Sequence, residues 1–106
     1  MRKFTVPKNR RPNAPGEIIE EEYRKVSGLT QQQLADALGI SRVRYTEIAN
    51  GRRRITPNTA LRLARVLRTS PEFWLNMQQA NDLYDVRHSD EAKEIVKLRP
   101  LVRRSA

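Results

Sequence analysis

Between Pro15 and Leu98 the apolar positions return every three or four residues, the spacing of one face of an α-helix, and no stretch alternates convincingly as a half-buried strand does. The first run, PGEIIEEEYRKVSG, puts Ile18, Ile19, Tyr23 and Val26 at helical spacing. Pro15 suits a first helical position, the glutamates suit the positive end of the helix dipole, and Gly28 closes the run. The second run opens at Thr30, whose spacing to Gln33 is that of a capping box. Leu34 and Leu38 share one face with Ala35 and Ala37 beside them, and Gly39 stands where a left-handed C-cap is wanted. Ile40 follows, and then Ser41, a second N-cap residue. So short a turn predicts two helices crossing steeply, as in a helix-turn-helix.

The third predicted helix, RVRYTEIAN, carries Tyr45 and Ile48 on one face and is stopped by Asn50-Gly51. Thr56-Pro57 and Ser70-Pro71 are N-cap and N1-proline pairs, so helices are predicted to start at both. The fourth helix has the stripe Ala60, Leu63, Ala64 and Leu67, with Arg62, Arg65 and Arg68 pointing elsewhere. The fifth has Phe73, Met77, Ala80 and Tyr84, widened by Trp74 and Leu75. Ser89 is placed to cap a last short helix ending near Leu98, before Pro100. The predicted architecture is therefore all-α: a compact five-helix helix-turn-helix domain over residues 13–86, preceded by a flexible basic arm (1–12) and followed by a short extra C-terminal helix and basic tail (87–106).

Charge narrows the possibilities. The 106 residues hold 21 Lys+Arg against 12 Asp+Glu, a formal charge of +9, which favours a polyanionic partner. The excess is uneven. Residues 1–12 carry Arg2, Lys3, Lys8, Arg10 and Arg11 and no acid, and residues 31–68 carry eight arginines against Asp36 and Glu47. The segments 13–30 and 69–98 are mildly acidic. There is no cysteine and His88 is the lone histidine, so a disulfide framework and a Cys- or His-rich metal site are excluded. No run approaches the ~18 apolar residues of a membrane span. No apolar segment follows the basic N-terminus, so no secretory signal is expected and a cytoplasmic protein with no membrane partner is the default.

The basic middle coincides with the helix-turn-helix pattern QQQLADALGISRVRYTEIAN, Gln31 to Asn50. If Tyr45 and Ile48 are buried, Arg42, Val43, Thr46 and Glu47 face away, with Arg44 to one side. N-terminal residues of a recognition helix reach base edges in the major groove. Arg42 has the chemistry to pair with guanine and Val43 to touch a thymine methyl. Thr46 can donate or accept. Glu47 either accepts from cytosine or holds Arg44 or Arg54 in place. Gln31, at a helix N-terminus, is placed for a phosphate. Arg52, Arg53 and Arg54 leave the helix where the chain would run beside the duplex backbone. With Ser41 and Asn50 at the two ends of the helix, these residues are the predicted DNA-binding set. A structural helical hairpin would share the apolar pattern, and a solvated basic loop would share the arginines. Other constellations are weaker: Glu17, Glu20 and Glu21 read as a solvated face rather than an acid–base pair, Phe73 and Trp74 as core or dimer contacts, and no nucleotide loop, nucleophile elbow or other catalytic set is present. No cofactor and no enzymatic activity are expected.

The segments PGEIIEEEY, GLTQQQLADALGISR, EIANGRRRITPNTALRLARVL and TSPEFWLNMQQANDLYDV together resemble the HigA/VapI-type antitoxins of the XRE (Cro/repressor-like) helix-turn-helix family, over about Pro15 to Val86. The resemblance implies a homodimer that binds a double-stranded operator palindrome and represses its own operon. It also implies a partner, a RelE/HigB-like mRNA-cleaving toxin neutralised by complex formation. A stand-alone repressor of phage or plasmid origin, with no toxin, is the alternative. Tyr45 departs from the family, where a smaller aliphatic residue is usual, and its hydroxyl needs a partner or solvent. Ala49 departs too, where a longer apolar residue is common.

Overall fold

The computed structural model describes residues 10–102, and all regular structure among them is helical. The chain order is α1 (Pro15–Ile18), which runs without a break into a π-helical segment (Ile19–Arg24), then α2 (Gln31–Leu38), α3 (Arg42–Ala49), α4 (Pro57–Leu67), α5 (Pro71–Arg87) and α6 (Glu91–Ile95). Counting α1 and its π continuation as one helix, this is the predicted five-helix domain with a short sixth. Most of the predicted arm, residues 1–9, lies outside the described residues.

The local start and stop signals work as their chemistry requires. Thr30 accepts from the Gln33 backbone at 3.0 Å and Gln33 returns the bond to the Thr30 amide at 2.8 Å, a complete capping box. Ser41, Thr56 and Ser70 cap α3, α4 and α5 in the same manner. Gly39 closes α2 at φ 72°, a conformation that costs a residue with a Cβ but not glycine.

The core gathers Ile18, Ile19, Leu34, Ala35, Leu38, Tyr45, Ile48, Ile55, Ala60, Leu63, Trp74 and Met77. Trp74 is fully buried, edge-on to Tyr23 and Phe73, and its indole N–H donates to Thr69 Oγ1 at 2.7 Å. Four expectations need correction. Val26 is 77% exposed, because the helix unwinds into a turn beyond Lys25 before reaching it. Glu20 is not on a solvated face but partly buried among polar partners, described below. The buried line of α5 is Trp74, Met77 and Asn81, with Phe73, Ala80 and Tyr84 only partly covered. Asn81 takes the inward place because its amide donates to the Met77 and Asn13 carbonyls at 3.0 and 2.9 Å. Ser89 does not cap α6: its hydroxyl donates back to the Val86 carbonyl at 2.6 Å, and the helix starts after Asp90 and stops at Ile95.

Candidate nucleic-acid interface

The recognition helix α3 is positioned from three sides. From below, Gly16 of α1 lies against the carbonyls of Ile48 and Ala49; a Cβ there would come within 2.7 Å of the Ala49 oxygen and nearer still to that of Ile48. Only glycine permits this approach.

A second support is polar. The Tyr45 hydroxyl donates to Glu20, whose carboxylate also takes Arg24 through Nε at 2.9 Å and Nη2 at 2.7 Å, and more loosely Gln31 Nε2 at 3.4 Å. Arg24 in turn donates to the Leu29 carbonyl at 2.8 Å, just ahead of α2. The Glu20 side chain is 13% exposed. Burial raises its pKa, but the bonds from Arg24, Tyr45 and Gln31 outweigh that and hold the carboxyl below its ordinary value. Burial, then the carboxylate beside it, push the Tyr45 phenol up, so it stays protonated and remains a donor. The partner that the Tyr45 hydroxyl requires is therefore Glu20.

The third support comes from α4. Arg44 Nη2 donates to Asn58 Oδ1 at 3.2 Å and Thr59 Oγ1 at 3.0 Å, and its Nε is buried without a partner. Arg62 donates to the same Asn58 oxygen at 2.8 Å and to the Leu38 carbonyl at 2.9 Å, a cation on the negative end of α2. Both helices of the motif are thereby tied to α4.

Of the predicted surface, Ser41, Arg42, Val43, Asn50, Arg52, Arg53 and Arg54 are exposed, whereas Gln31, Arg44, Thr46 and Glu47 are half-buried. Arg42 and Val43 are exposed, Val43 by 67%, and Arg42 makes no side-chain bond among the described residues. Thr46 and Glu47 are half-buried and Asn50 is exposed. Ser41 Oγ accepts from the Arg44 amide at 3.0 Å, which leaves its own O–H to donate. Gln31 sits at the first position of α2, leaning on Glu20. Arg44 is the member whose guanidinium turns to α4. Glu47 holds neither Arg44 nor Arg54 but Arg53, at 2.8 Å. Arg54 pairs with Asp82 of α5 at 2.7 Å, and Arg52 has no ion pair among the described residues. The loop carrying them is held by α5: Gln78 accepts the Ile55 amide at 2.9 Å and donates to Asp82 at 3.1 Å. The supporting roles of Gly16, Gln78 and Arg62 have no signal in the sequence. The contacts by which they hold α3, α2 and the loop, to Ile48 and Ala49, to Ile55 and to Leu38, reach 23 residues or more along the chain, so no local spacing announces them.

No group of three potential metal ligands occurs among the described residues, and no helix there is long and apolar enough to cross a membrane. An exposed cationic helix edge beside a cationic loop on a rigid frame suits contact with a duplex: base edges from the helix, phosphates from the loop.

Comparison with known proteins points the same way. The family described as Helix-turn-helix matches residues 21–74. The antitoxin HigA-1 of Vibrio cholerae is 40% identical over 91 residues, covering 84% of this chain and 86% of its own. Among solved structures, an addiction module antidote protein of the HigA family from Coxiella burnetii superposes with a TM-score of 0.78 at 44% identity, over 86% of this chain and 99% of that one. The antitoxin HigA of Pseudomonas aeruginosa, solved with the higBA promoter, superposes with 0.79 at 32% identity, over 87% and 100%.

Proposed function

Because the chain belongs to the helix-turn-helix family and, within it, to the HigA antitoxins, we propose that it represses its own operon by binding operator DNA and neutralises a RelE/HigB-like mRNA-cleaving toxin by direct binding. The observation that carries the DNA half is the outward edge of α3. Arg42 and Val43 are exposed at the leading end of a capped helix, with no internal role to fill, while Tyr45 and Ile48 fix that helix to the core. In this reading Arg42 and Val43 meet base edges, Thr46 reaches either a base or a phosphate, and Gln31, Ser41, Asn50, Arg52 and Arg53 meet the backbone. Arg54 joins them by exchanging Asp82 for a phosphate. Glu47 steadies Arg53, and Arg44 sets the pose of the helix.

The protein acts in the cytoplasm as a homodimer, since one short helix covers only a few base pairs and a palindrome supplies two half-sites. Leu83, Val86, Ile95, Val96 and Leu98 support this: all are exposed at the C-terminal end, outside the core. The toxin docks away from the basic face, because an RNA-cleaving partner is itself cationic around its RNA groove. Glu17 and Glu21 of the first helix and Asp90, Glu91 and Glu94 toward the C-terminal end suit it, whereas Glu20 is committed to Arg24 and Tyr45, and Asp82 and Asp85 pair with Arg54 and Arg11 on the basic side. The test is two-fold. A duplex from upstream of the gene should be shifted in a salt-dependent manner, and the product of the adjacent open reading frame should co-purify. A shift without a co-purifying partner leaves a stand-alone repressor; no shift at any salt removes the DNA half.

A further inference from the structure

Between α2 and α4 runs a shallow groove of about 340 Å3, lined by Ala37, Leu38, Leu61, Arg62, Arg65 and Val66 and, among the described residues, by no acid. Leu61 and Arg65 stand one turn apart on the outer face of α4. Leu61 is 62% exposed, and Arg65 is exposed and makes no side-chain bond among the described residues. Arg62 meets only neutral acceptors, Asn58 Oδ1 and the Leu38 and Gly39 carbonyls. The groove therefore offers apolar surface beside two positive charges that no acid compensates. The opposite combination stands on α6. Glu91 and Ile95 share one face, with Glu94 beside them at helical spacing. Asp90 and Glu91 make no side-chain bond among the described residues, and Glu94 has only Lys97 at 3.7 Å, both largely exposed. Ile95 and Leu98 are exposed as well. Within one chain the two surfaces do not cover each other, since Leu61 and Ile95 both remain open to solvent.

We propose that in the homodimer α6 of each copy docks in the α2–α4 groove of the other, with Ile95 over Leu61 and with Glu91 and Glu94 against Arg65. A second copy is the occupant that fits, because the chain itself carries both halves of the pair, matched in charge and in apolar character. Exchanged reciprocally about a two-fold axis, the contact is made twice and closes on itself, whereas a one-way contact would leave a groove and an α6 unfilled. The proposal rests on the reading that the protein is a homodimer, and it adds where the exposed apolar residues of the C-terminal end go. It also leaves Glu17 and Glu21 of the first helix as the acidic surface open to a toxin.

The experiment uses the full chain and two charge reversals, Arg65→Glu in the groove and Glu94→Arg on α6, followed by sedimentation over a range of micromolar concentrations. Both side chains are exposed, and a thermal melt of each variant checks its folding. Alone, each reversal sets like charges against each other at both contacts and should weaken the dimer by about tenfold. Mixed in equal amounts, the two variants should form a heterodimer close to wild-type strength: one of its contacts pairs the two reversed charges, and the other is the wild-type pair. If either variant alone dimerises like wild type, or if the mixture is no stronger than its separate parts, the docking proposal is overturned. A wild-type chain that sediments as a monomer overturns the homodimer reading itself, so the two failures are distinct.

Discussion

Tyr45 is the residue on which the recognition helix turns. Its ring is fully buried and its hydroxyl is bound to Glu20. Tyr45→Ala should cost about 3–5 kcal/mol, the range for removing a buried aromatic, and should lose DNA binding only through lost structure. Tyr45→Phe should keep the packing and lose the single bond. The Glu20 carboxyl is held below its ordinary value of 4.5, so it contributes stability that is complete above that value and is lost as the pH falls through the folded one. Thermal melts between pH 7 and pH 3 should therefore show an acid limb that Glu20→Gln flattens; an identical limb in both proteins would show that Glu20 does not carry it. Arg53 presents a different balance. Its pair with Glu47 is half exposed, 50% and 38%, and such pairs contribute about 0–1 kcal/mol. Exchanging Glu47 for a DNA phosphate is accordingly inexpensive, and Arg53→Ala should leave the melting temperature nearly unchanged.

Among the elements, the tightest approach is the crossing of α1 on the end of α3, where Gly16 leaves no room for a side chain. Gly16→Ala should force the two helices apart, costing about 1–3 kcal/mol as overpacking does, and should displace α3. Operator affinity would then fall even though no DNA-facing residue has changed, and a variant with wild-type stability and affinity would refute the crossing. The elements themselves were legible in the sequence because their signals are local: Thr30 with Gln33, Gly39 before Ser41, and a threonine or serine before Pro57 and Pro71. Which helix side chains face outward was mostly legible too, from Tyr45 and Ile48. Arg44 was not, since it lies at the boundary of the two faces and the acceptors that draw it inward, Asn58 and Thr59, belong to α4. The supports of the site from Gly16, Gln78 and Arg62 were hidden for the same reason. Each joins residues that only the assembled fold makes neighbours.

In the molecule as a whole, the exposed apolar residues from Leu83 to Leu98 call for a partner surface, and a second copy supplies it in the proposed assembly. Sedimentation at micromolar concentration should give a dimer, and a monomer that still binds a palindrome tightly would contradict that assembly. In that proposed assembly, α3 would read the operator while the neighbouring arginines grip its backbone. One titration decides this division of labour: wild type, Arg42→Ala and Arg53→Ala against the operator and a scrambled duplex of equal length, across a range of salt. Wild type should prefer the operator, with an affinity that falls steeply with salt. Arg42→Ala should lose about 1–3 kcal/mol on the operator and relax preference at one base pair, whereas Arg53→Ala should weaken both duplexes alike and lower the salt slope by about one unit. A flat salt dependence in the wild type, or the same sequence-independent loss in both variants, would contradict these roles for α3 and its arginines.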